Sequence, residues 1–208
     1  MTTRATPGLD GVQVRGMTRS AFLLRGALAA GGLYGAGAVA PFVGRAFGAG
    51  GGGDIAILNF ALTLEHVESD FYKKAVAVKG LPPELASVLH QISGHEDAHV
   101  QQLTQTIQQL GATPSPAPKT SFPALRGAAA VLRIAVALED AGVGAYNGAA
   151  PRIQSPALLA AAGSIVHVEG RHAGALRELA GKFPAPGAFD KSLTQAEATA
   201  AVKPYVTG

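Results

Sequence analysis

Apolar residues recur at helical spacing along four long stretches of the chain. Capping residues mark their ends: Asp54 and Ser155 suit a helix N-terminus, and glycine suits the end of a helix. Prolines suit the first turn of the second and fourth stretches, because the first helical residues need no amide donor. The pattern predicts four helices of about 25 residues and roughly 37 Å, at 54–80, 82–111, 124–149 and 156–181.

The connections between these helices set the expected fold class. Short connections join the first helix to the second and the third to the fourth, so each pair should be antiparallel. The link at 112–123 holds four prolines and can cross the length of a bundle. The sequence therefore predicts an all-α four-helix bundle with one long crossover at 54–181. A tail at 182–208 follows, in which Thr194-x-x-Glu197 predicts a capped short helix.

Residues 1–49 have the composition of an export leader. They hold five arginines and one acidic residue, and an uncharged run follows at 26–43. A charged start, an apolar run and a small-residue site are typical of an export signal. Five glycines in the run disfavour a stable membrane-spanning helix. We expect cleavage after Gly48 or Ala49 and a location outside the bacterial cytoplasm, periplasmic or beyond.

The stretch Thr18-Arg19-Ser20-Ala21-Phe22-Leu23 resembles the twin-arginine export motif, with Ser20 where the second arginine would stand. Three routes stay open: a degenerate twin-arginine signal, a general secretory signal, or an uncleaved leader that anchors the protein.

Composition excludes several kinds of site. The chain holds 17 Lys and Arg against 14 Asp and Glu, but beyond residue 49 the numbers are 12 and 13. The body therefore lacks the basic excess expected of a nucleic-acid-binding protein. No cysteine is present, which excludes disulfides, thiolate-bound zinc and iron–sulfur clusters.

Acidic residues repeat between the two halves of the predicted bundle. In the first and third helices a Glu is followed seven residues later by a Tyr, and the second and fourth helices carry Glu-x-x-His. Three residues turn a helix by about 300° and seven make almost two turns, so the paired side chains share a face. The glutamates are 31 residues apart in one half and 30 in the other. The repeated residues are Glu65, Tyr72, Glu96 and His99, then Glu139, Tyr146, Glu169 and His172.

The four glutamates and two histidines favour a centre with two metal ions. Their apolar flanks direct them inward, where four carboxylates would repel one another and be poorly solvated. Two divalent cations would balance the four negative charges, and neutral imidazoles add none. Carboxylate and imidazole ligands suit iron or manganese, so we expect two Fe or Mn ions.

These residues and their neighbours resemble the ferritin-like superfamily, in particular its exported single-domain branch that includes the desiccation-related proteins. The resemblance covers about 54–181, with local matches at 64–72, 138–146 and 168–172. It implies that Glu65 and Glu139 are terminal carboxylates, one for each ion, and that His99 and His172 each bind one ion. It implies that Glu96 and Glu169 bridge the two ions. Tyr72 and Tyr146 would orient carboxylates across the bundle and are the catalytic candidates beside the ligands.

Other residues are weaker candidates. Glu68 lies one turn from Glu65 and is the rival ligand, but Gly142 occupies its position in the second half. His95 and His167 are not equivalent between the halves, so we expect a rim or surface role for both. We expect His66 and His90 to be ordinary helix histidines. Arg171 is expected to be exposed, with a contact to a ligand as the alternative.

Three classes of function suit such a centre. The first is a redox enzyme that oxidises Fe(II) with oxygen or peroxide, or dismutates peroxide on manganese; the second is iron binding or storage. The third is a stress-protective protein in which metal mainly stabilises the fold. Without Cys, or Met in the body, the chain lacks the rubredoxin-type donor of rubrerythrins and the haem ligand of bacterioferritins. The expected partners are metal ions and oxygen or peroxide, with no nucleic acid and membrane contact only through an uncleaved leader; the oligomeric state stays open.

Overall fold

The computed structural model describes residues 13–14, 17–18 and 52–207. Most of the predicted export leader lies outside these residues, so its function stays a prediction. Within the leader, β1 (Gln13–Val14) pairs antiparallel with β2 (Met17–Thr18), which the sequence pattern did not predict.

Five α-helices form the body of the protein at 52–207, the continuous part of the chain that the structure describes, and the four long ones are those that the hydrophobic pattern predicted. The predicted all-α fold is confirmed, with helix ends a few residues from the expected positions. The helices are α1 (Gly52–Val76), α2 (Pro83–Gln109), α3 (Gly127–Ala149), α4 (Pro156–Leu179) and α5 (Gln195–Val202), with short 3-10 turns at Ala150–Arg152 and Lys203–Tyr205.

The second helix of each half ends in the same way. Gly111 after α2 and Gly181 after α4 have φ of 75° and 70°, which only glycine adopts without strain. In both places the next amide, Ala112 or Lys182, donates to a carbonyl five residues earlier, at 3.0 and 2.8 Å. This shared geometry satisfies the last helical carbonyls and supports the prediction of one helix pair repeated twice.

Asp54 does not cap α1 as predicted, because the helix begins two residues earlier at Gly52. Its buried carboxylate accepts hydrogen bonds from the amides of Gln154 and Ser155, at 2.9 and 3.0 Å. Ser155 in turn caps α4, with its hydroxyl accepting from the amide of Leu158. Asp54 therefore ties the start of the first half to the connection inside the second.

The crossover at 110–126 is covered by the C-terminal tail. Thr120 and Val206 form an isolated antiparallel bridge, and the rings of Phe122 and Tyr205 stack with centroids 5.5 Å apart. The predicted capping box of Thr194 and Glu197 is present at the start of α5. Both the crossover and the tail pack on the apolar core.

Apolar side chains from all five helices fill the core of the bundle. The largest fully buried ones are Leu62, Phe71, Tyr72, Leu85, Leu89, Ile107, Leu138, Leu158 and Leu176. Among the described residues, none of the helices has the length and apolar character needed to cross a membrane.

Candidate metal centre

The four long helices bring the six predicted ligand residues together in the middle of the bundle. All four carboxylates have an exposed fraction of 0%, and the two imidazoles are 9% and 5% exposed. Carboxylates are rarely buried so completely unless a cation or hydrogen bonds compensate them. The ligand atoms fall into two overlapping groups, each within 4.8 Å: site 1 (Glu65, Glu96, His99, Glu169) and site 2 (Glu96, Glu139, Glu169, His172).

Site 1 is arranged around Nδ1 of His99. Oε2 of Glu65 and Oε2 of Glu96 each lie 3.2 Å from this nitrogen, and Oε1 of Glu169 lies 3.0 Å from it. Glu96 and His99 reach the same point because three residues bring them to one face of α2.

Site 2 is arranged around Nδ1 of His172. Oε1 of Glu96 and Oε2 of Glu139 lie 3.1 and 3.3 Å from this nitrogen, and Oε2 of Glu169 lies 3.9 Å away. The same three-residue spacing on α4 brings Glu169 and His172 together, as it does Glu96 and His99 on α2.

Glu96 and Glu169 belong to both groups and divide their oxygens between them. Glu96 turns Oε2 towards His99 and Oε1 towards His172. Glu169 turns Oε1 towards His99 and Oε2 towards His172. This is the arrangement that a carboxylate needs to bridge two ions with one oxygen each, which is the role that the sequence resemblance implied.

The two tyrosines bind the predicted terminal carboxylates of the opposite half. The Tyr146 hydroxyl donates to Oε1 of Glu65 at 2.6 Å, and the Tyr72 hydroxyl donates to Oε1 of Glu139. Each bond leaves Oε2 of its glutamate facing a site. The bonds also show that α1 and α3 are antiparallel, since the later residue of each helix meets the earlier residue of the other.

Unpaired polar atoms in the centre match the needs of metal ions. Among the described residues, five buried side-chain atoms have no partner in hydrogen-bonding geometry, and all five belong to the predicted ligands: Oε1 of Glu96, Oε2 of Glu139, both oxygens of Glu169 and Nδ1 of His172. Native structures leave few buried polar atoms unpaired. Oxygen and nitrogen atoms converging at each site are the donor set that iron and manganese accept.

The carboxylates affect one another's protonation. Burial raises the pKa of Glu96 and Glu169 well above the usual range, and neighbouring carboxylates add to the effect. Burial also raises the pKa of Glu139, to about 7. Burial acts in the same direction on Glu65, but hydrogen bonding with His99 outweighs it and holds that pKa below its usual value. The metal-free centre therefore holds protons that bound cations would displace.

His95 contacts one of the predicted ligands of the centre. Its Nδ1 is 2.9 Å from Nε2 of His172, and the two rings stack with centroids 5.1 Å apart. His95 is exposed, so it forms an outer contact of a ligand, which fits the predicted rim role. Its position one helical turn before His99 was the pattern that could have indicated this contact.

Glu68 is buried beside the centre but belongs to neither group of ligand atoms. Burial and the charge of Glu169 raise its pKa well above the usual range. Its Oε1 lies 3.0 Å from the position that a Cβ on Gly142 would occupy. The glycine in the second half therefore provides the space that the extra carboxylate of the first half fills.

The remaining candidates lie outside both groups. His66 is half-buried, and the other three are exposed: His90, His167 and Arg171.

The body of the chain matches a known protein family. The family model described as a ferritin-like domain matches residues 53–182, more than half of the sequence. The chain belongs to the ferritin-like domain family. A search of curated proteins finds no match for it. The match covers α1 to α4 and all six residues of the candidate centre, so the ferritin-like domain and the bundle are the same part of the chain.

Proposed function

We propose that this ferritin-like domain binds two iron or manganese ions at sites 1 and 2 and uses them to oxidise Fe(II) or to consume oxygen or peroxide. The observation that carries the proposal is the division of the Glu96 and Glu169 oxygens between two histidines. A centre for a single ion would not need two carboxylates directed in this way. Two ions held by shared carboxylates can deliver two electrons to one acceptor.

Bound as a pair, two Fe(II) ions would supply one electron each, and with two protons these reduce dioxygen to hydrogen peroxide, or hydrogen peroxide to two molecules of water. The protein's part is to hold and orient the ligands. Tyr72 and Tyr146 fix the terminal carboxylates by hydrogen bonds, and His95 contacts the outer nitrogen of His172. Such outer contacts set the orientation of the imidazole rings and carboxylates and raise the affinity of the site for metal.

Metal analysis followed by turnover measurements tests the proposal. The full chain, produced without added metal, is analysed for iron, manganese, copper and zinc, and oxygen and peroxide consumption are then followed with and without Fe(II). We expect two equivalents of iron or manganese per chain and catalytic consumption of one oxidant. The Glu96→Ala variant is the matched control that should lose both. Absence of turnover by fully loaded protein would overturn the enzymatic part of the proposal.

The alternative is a metal-stabilised protein without catalysis, of the stress or desiccation type. It is favoured by the burial of four carboxylates whose mutual repulsion destabilises the metal-free bundle. Metal that raises the melting temperature but consumes neither oxygen nor peroxide would establish this alternative.

We further propose that the protein acts outside the cytoplasm, on the basis of the charged start and apolar run of residues 1–49. Export of the folded protein would let iron or manganese be selected in the cytoplasm, although affinity alone favours copper or zinc. Fractionation of cells that produce the full chain tests the location, and a chain without 1–49 is the control. Copper or zinc as the sole stoichiometric metal in natively exported material would contradict metal selection before export.

A further inference from the structure

An apolar cavity lies inside the bundle next to the candidate centre. All four long helices line it. The lining segments of α1 and α4 come before the candidate ligands of those helices in the sequence. The lining segments of α2 and α3 come after the candidate ligands of those helices. The cavity therefore lies towards one end of the bundle, between the carboxylates and the end at which Asp54 holds Gln154 and Ser155.

The wall of the cavity is mostly apolar. Most of the lining side chains are aliphatic, including Leu58, Leu64 and Leu103. Two of the polar groups bind each other, since the side-chain amide nitrogen of Gln102 donates to the Thr106 hydroxyl, which itself donates to the carbonyl of Gln102. The hydroxyl of Tyr146 is committed to Glu65. A cavity with such walls does not hold water well, because a buried water needs two or more polar partners.

The size of the cavity suits a very small molecule. The space open to the centre of a water-sized sphere is about 30 Å³. A diatomic gas or a single xenon atom fits this space. On the outer side, Ile57, Ala61 and Ala162 are only half-buried, so the path from the surface is short.

The cavity adjoins site 1 rather than site 2. Leu64 precedes the site 1 ligand Glu65 directly, and Leu103 lies one helical turn after His99. Tyr146, which binds Glu65, forms part of the wall. The outer face of site 2 is different, because His172 contacts the exposed ring of His95 there.

We propose that this cavity is a binding site for dioxygen, from which the gas reaches the metal ion of site 1. Dioxygen is small and apolar, so it favours an apolar cavity over water, whereas hydrogen peroxide is polar and does not. The inference rests on the proposed function and refines it, since it selects dioxygen as the oxidant.

Xenon tests the cavity without any catalysis, because apolar cavities take up this gas. Crystals of the full chain pressurised with xenon should show one atom among Leu58, Ala61, Leu103 and Ala162, with or without metal. Solution ¹²⁹Xe NMR gives the same information for protein that does not crystallise. Absence of bound xenon in both measurements would overturn the inference.

Substitutions that fill the cavity test its link to the reaction. Ala162→Leu and Ala61→Leu should abolish xenon binding and raise the KM for dioxygen about tenfold, as adding methylenes to an apolar site commonly does. The rate with hydrogen peroxide should not change. The matched controls are Ala160→Leu and Ala56→Leu, on exposed positions of the same helices. Two filling variants on different helices guard against misfolding of either one.

The outcomes separate this inference from the proposed function. Xenon binding with consumption of neither oxygen nor peroxide by metal-loaded protein would contradict the proposed function and the delivery of dioxygen, and would leave only a gas-binding cavity. Consumption of peroxide but not of oxygen would overturn the inference and leave the proposed function intact. Oxygen consumption with an unchanged KM in both filling variants would overturn the inference and leave the proposed function intact. An equal loss of activity towards dioxygen and peroxide in these variants would also count against the cavity as a route for dioxygen.

Discussion

The two halves of the bundle, α1–α2 and α3–α4, carry the same ligand pattern but surround it differently. Each supplies a Glu with a Tyr seven residues later and a Glu-x-x-His, and each ends its second helix on a glycine of positive φ. They differ at Glu68, opposite Gly142, and at His95, whose position in the second half is Val168. The repeat therefore determines which atoms converge, while unrepeated neighbours make the two sites unequal.

The two ligand histidines show this inequality. Burial lowers the pKa of His172 to about 4. Burial acts on His99 in the same direction, but the surrounding carboxylates of Glu169, Glu65 and Glu96 outweigh it and raise that pKa above its usual value. In the metal-free protein these chemically identical groups thus prefer opposite protonation states, because Nδ1 of His99 lies in hydrogen-bonding geometry with Glu65 and Glu96, whereas Nδ1 of His172 has no such partner.

The largest expected effect separates the carboxylates that face both sites from those that face one site. Glu96→Ala should abolish binding of both metals, because its two oxygens face different sites. Glu65→Ala should remove only the ion of site 1. Metal equivalents per chain, measured by mass spectrometry and calorimetric titration, check this, with the exposed Glu84→Ala as control. Two full equivalents retained by Glu96→Ala would show that the bridging assignment is wrong.

The next effect concerns the charge of the whole centre. The pKa of Glu139 is raised to about 7 from 4.5, so between these values the folded protein holds a proton that the unfolded chain has lost. Rising pH therefore destabilises the metal-free fold over this range, by roughly 3 kcal/mol from this group at 1.36 kcal/mol per pKa unit. The raised pKa values of Glu68, Glu96 and Glu169 act in the same direction. His172, whose pKa is lowered to about 4, opposes them between about pH 4 and 6.5.

Urea unfolding at pH 5, 6 and 7 measures this effect, once with a chelator and once with Mn(II). We expect the unfolding free energy to fall with pH in the chelator and not in Mn(II), because bound cations replace the protons. A metal-free protein whose unfolding free energy rises from pH 5 to 7 would contradict the inference that the folded protein buries carboxylates with raised pKa values.

A smaller effect tests the tyrosines of the two halves against each other. Tyr146→Phe should weaken site 1 and Tyr72→Phe should weaken site 2, since each leaves a buried carboxylate oxygen without its donor. We expect a loss of about 10–100-fold in affinity for one ion and about 1–3 kcal/mol of stability. Titration with Mn(II) separates the two ions, and Tyr205→Phe on the tail is the remote control. Equal effects of both variants on both ions would contradict the separate assignment.

The smallest effect tests the one carboxylate that is not repeated. Glycine to alanine inside a helix commonly adds about 0.5–1 kcal/mol of stability. Gly142→Ala should lose that gain, because its Cβ would lie 3.0 Å from Oε1 of Glu68, and Glu68→Ala should restore it. Gly163→Ala, with nothing within 4 Å, is the control. Thermal unfolding of the double-mutant cycle checks the coupling, and additive effects would show that Glu68 does not occupy this space.

The fold was largely predictable because its determinants are local. Apolar spacing, Pro83 and Pro156, and the glycines after α2 and α4 act within a few residues, so the pattern predicted four helices at nearly the observed bounds. The cap predicted at Asp54 is wrong for a physical reason. Local rules assign its carboxylate to its own helix, whereas it binds the amides of Gln154 and Ser155, 100 and 101 residues away.

By itself, the sequence determined the fold class and indicated which six residues converge in the candidate centre, because a three-residue spacing and a repeated pattern can be read from the sequence alone. Only the tertiary structure decided which oxygen faces which histidine and that Tyr146 binds Glu65, 81 residues away. It also decided that His95 contacts His172 across 77 residues and that Glu68 fills the space above Gly142. Contacts between distant residues depend on how four helices pack together, and helical spacing within one helix carries no information about that packing.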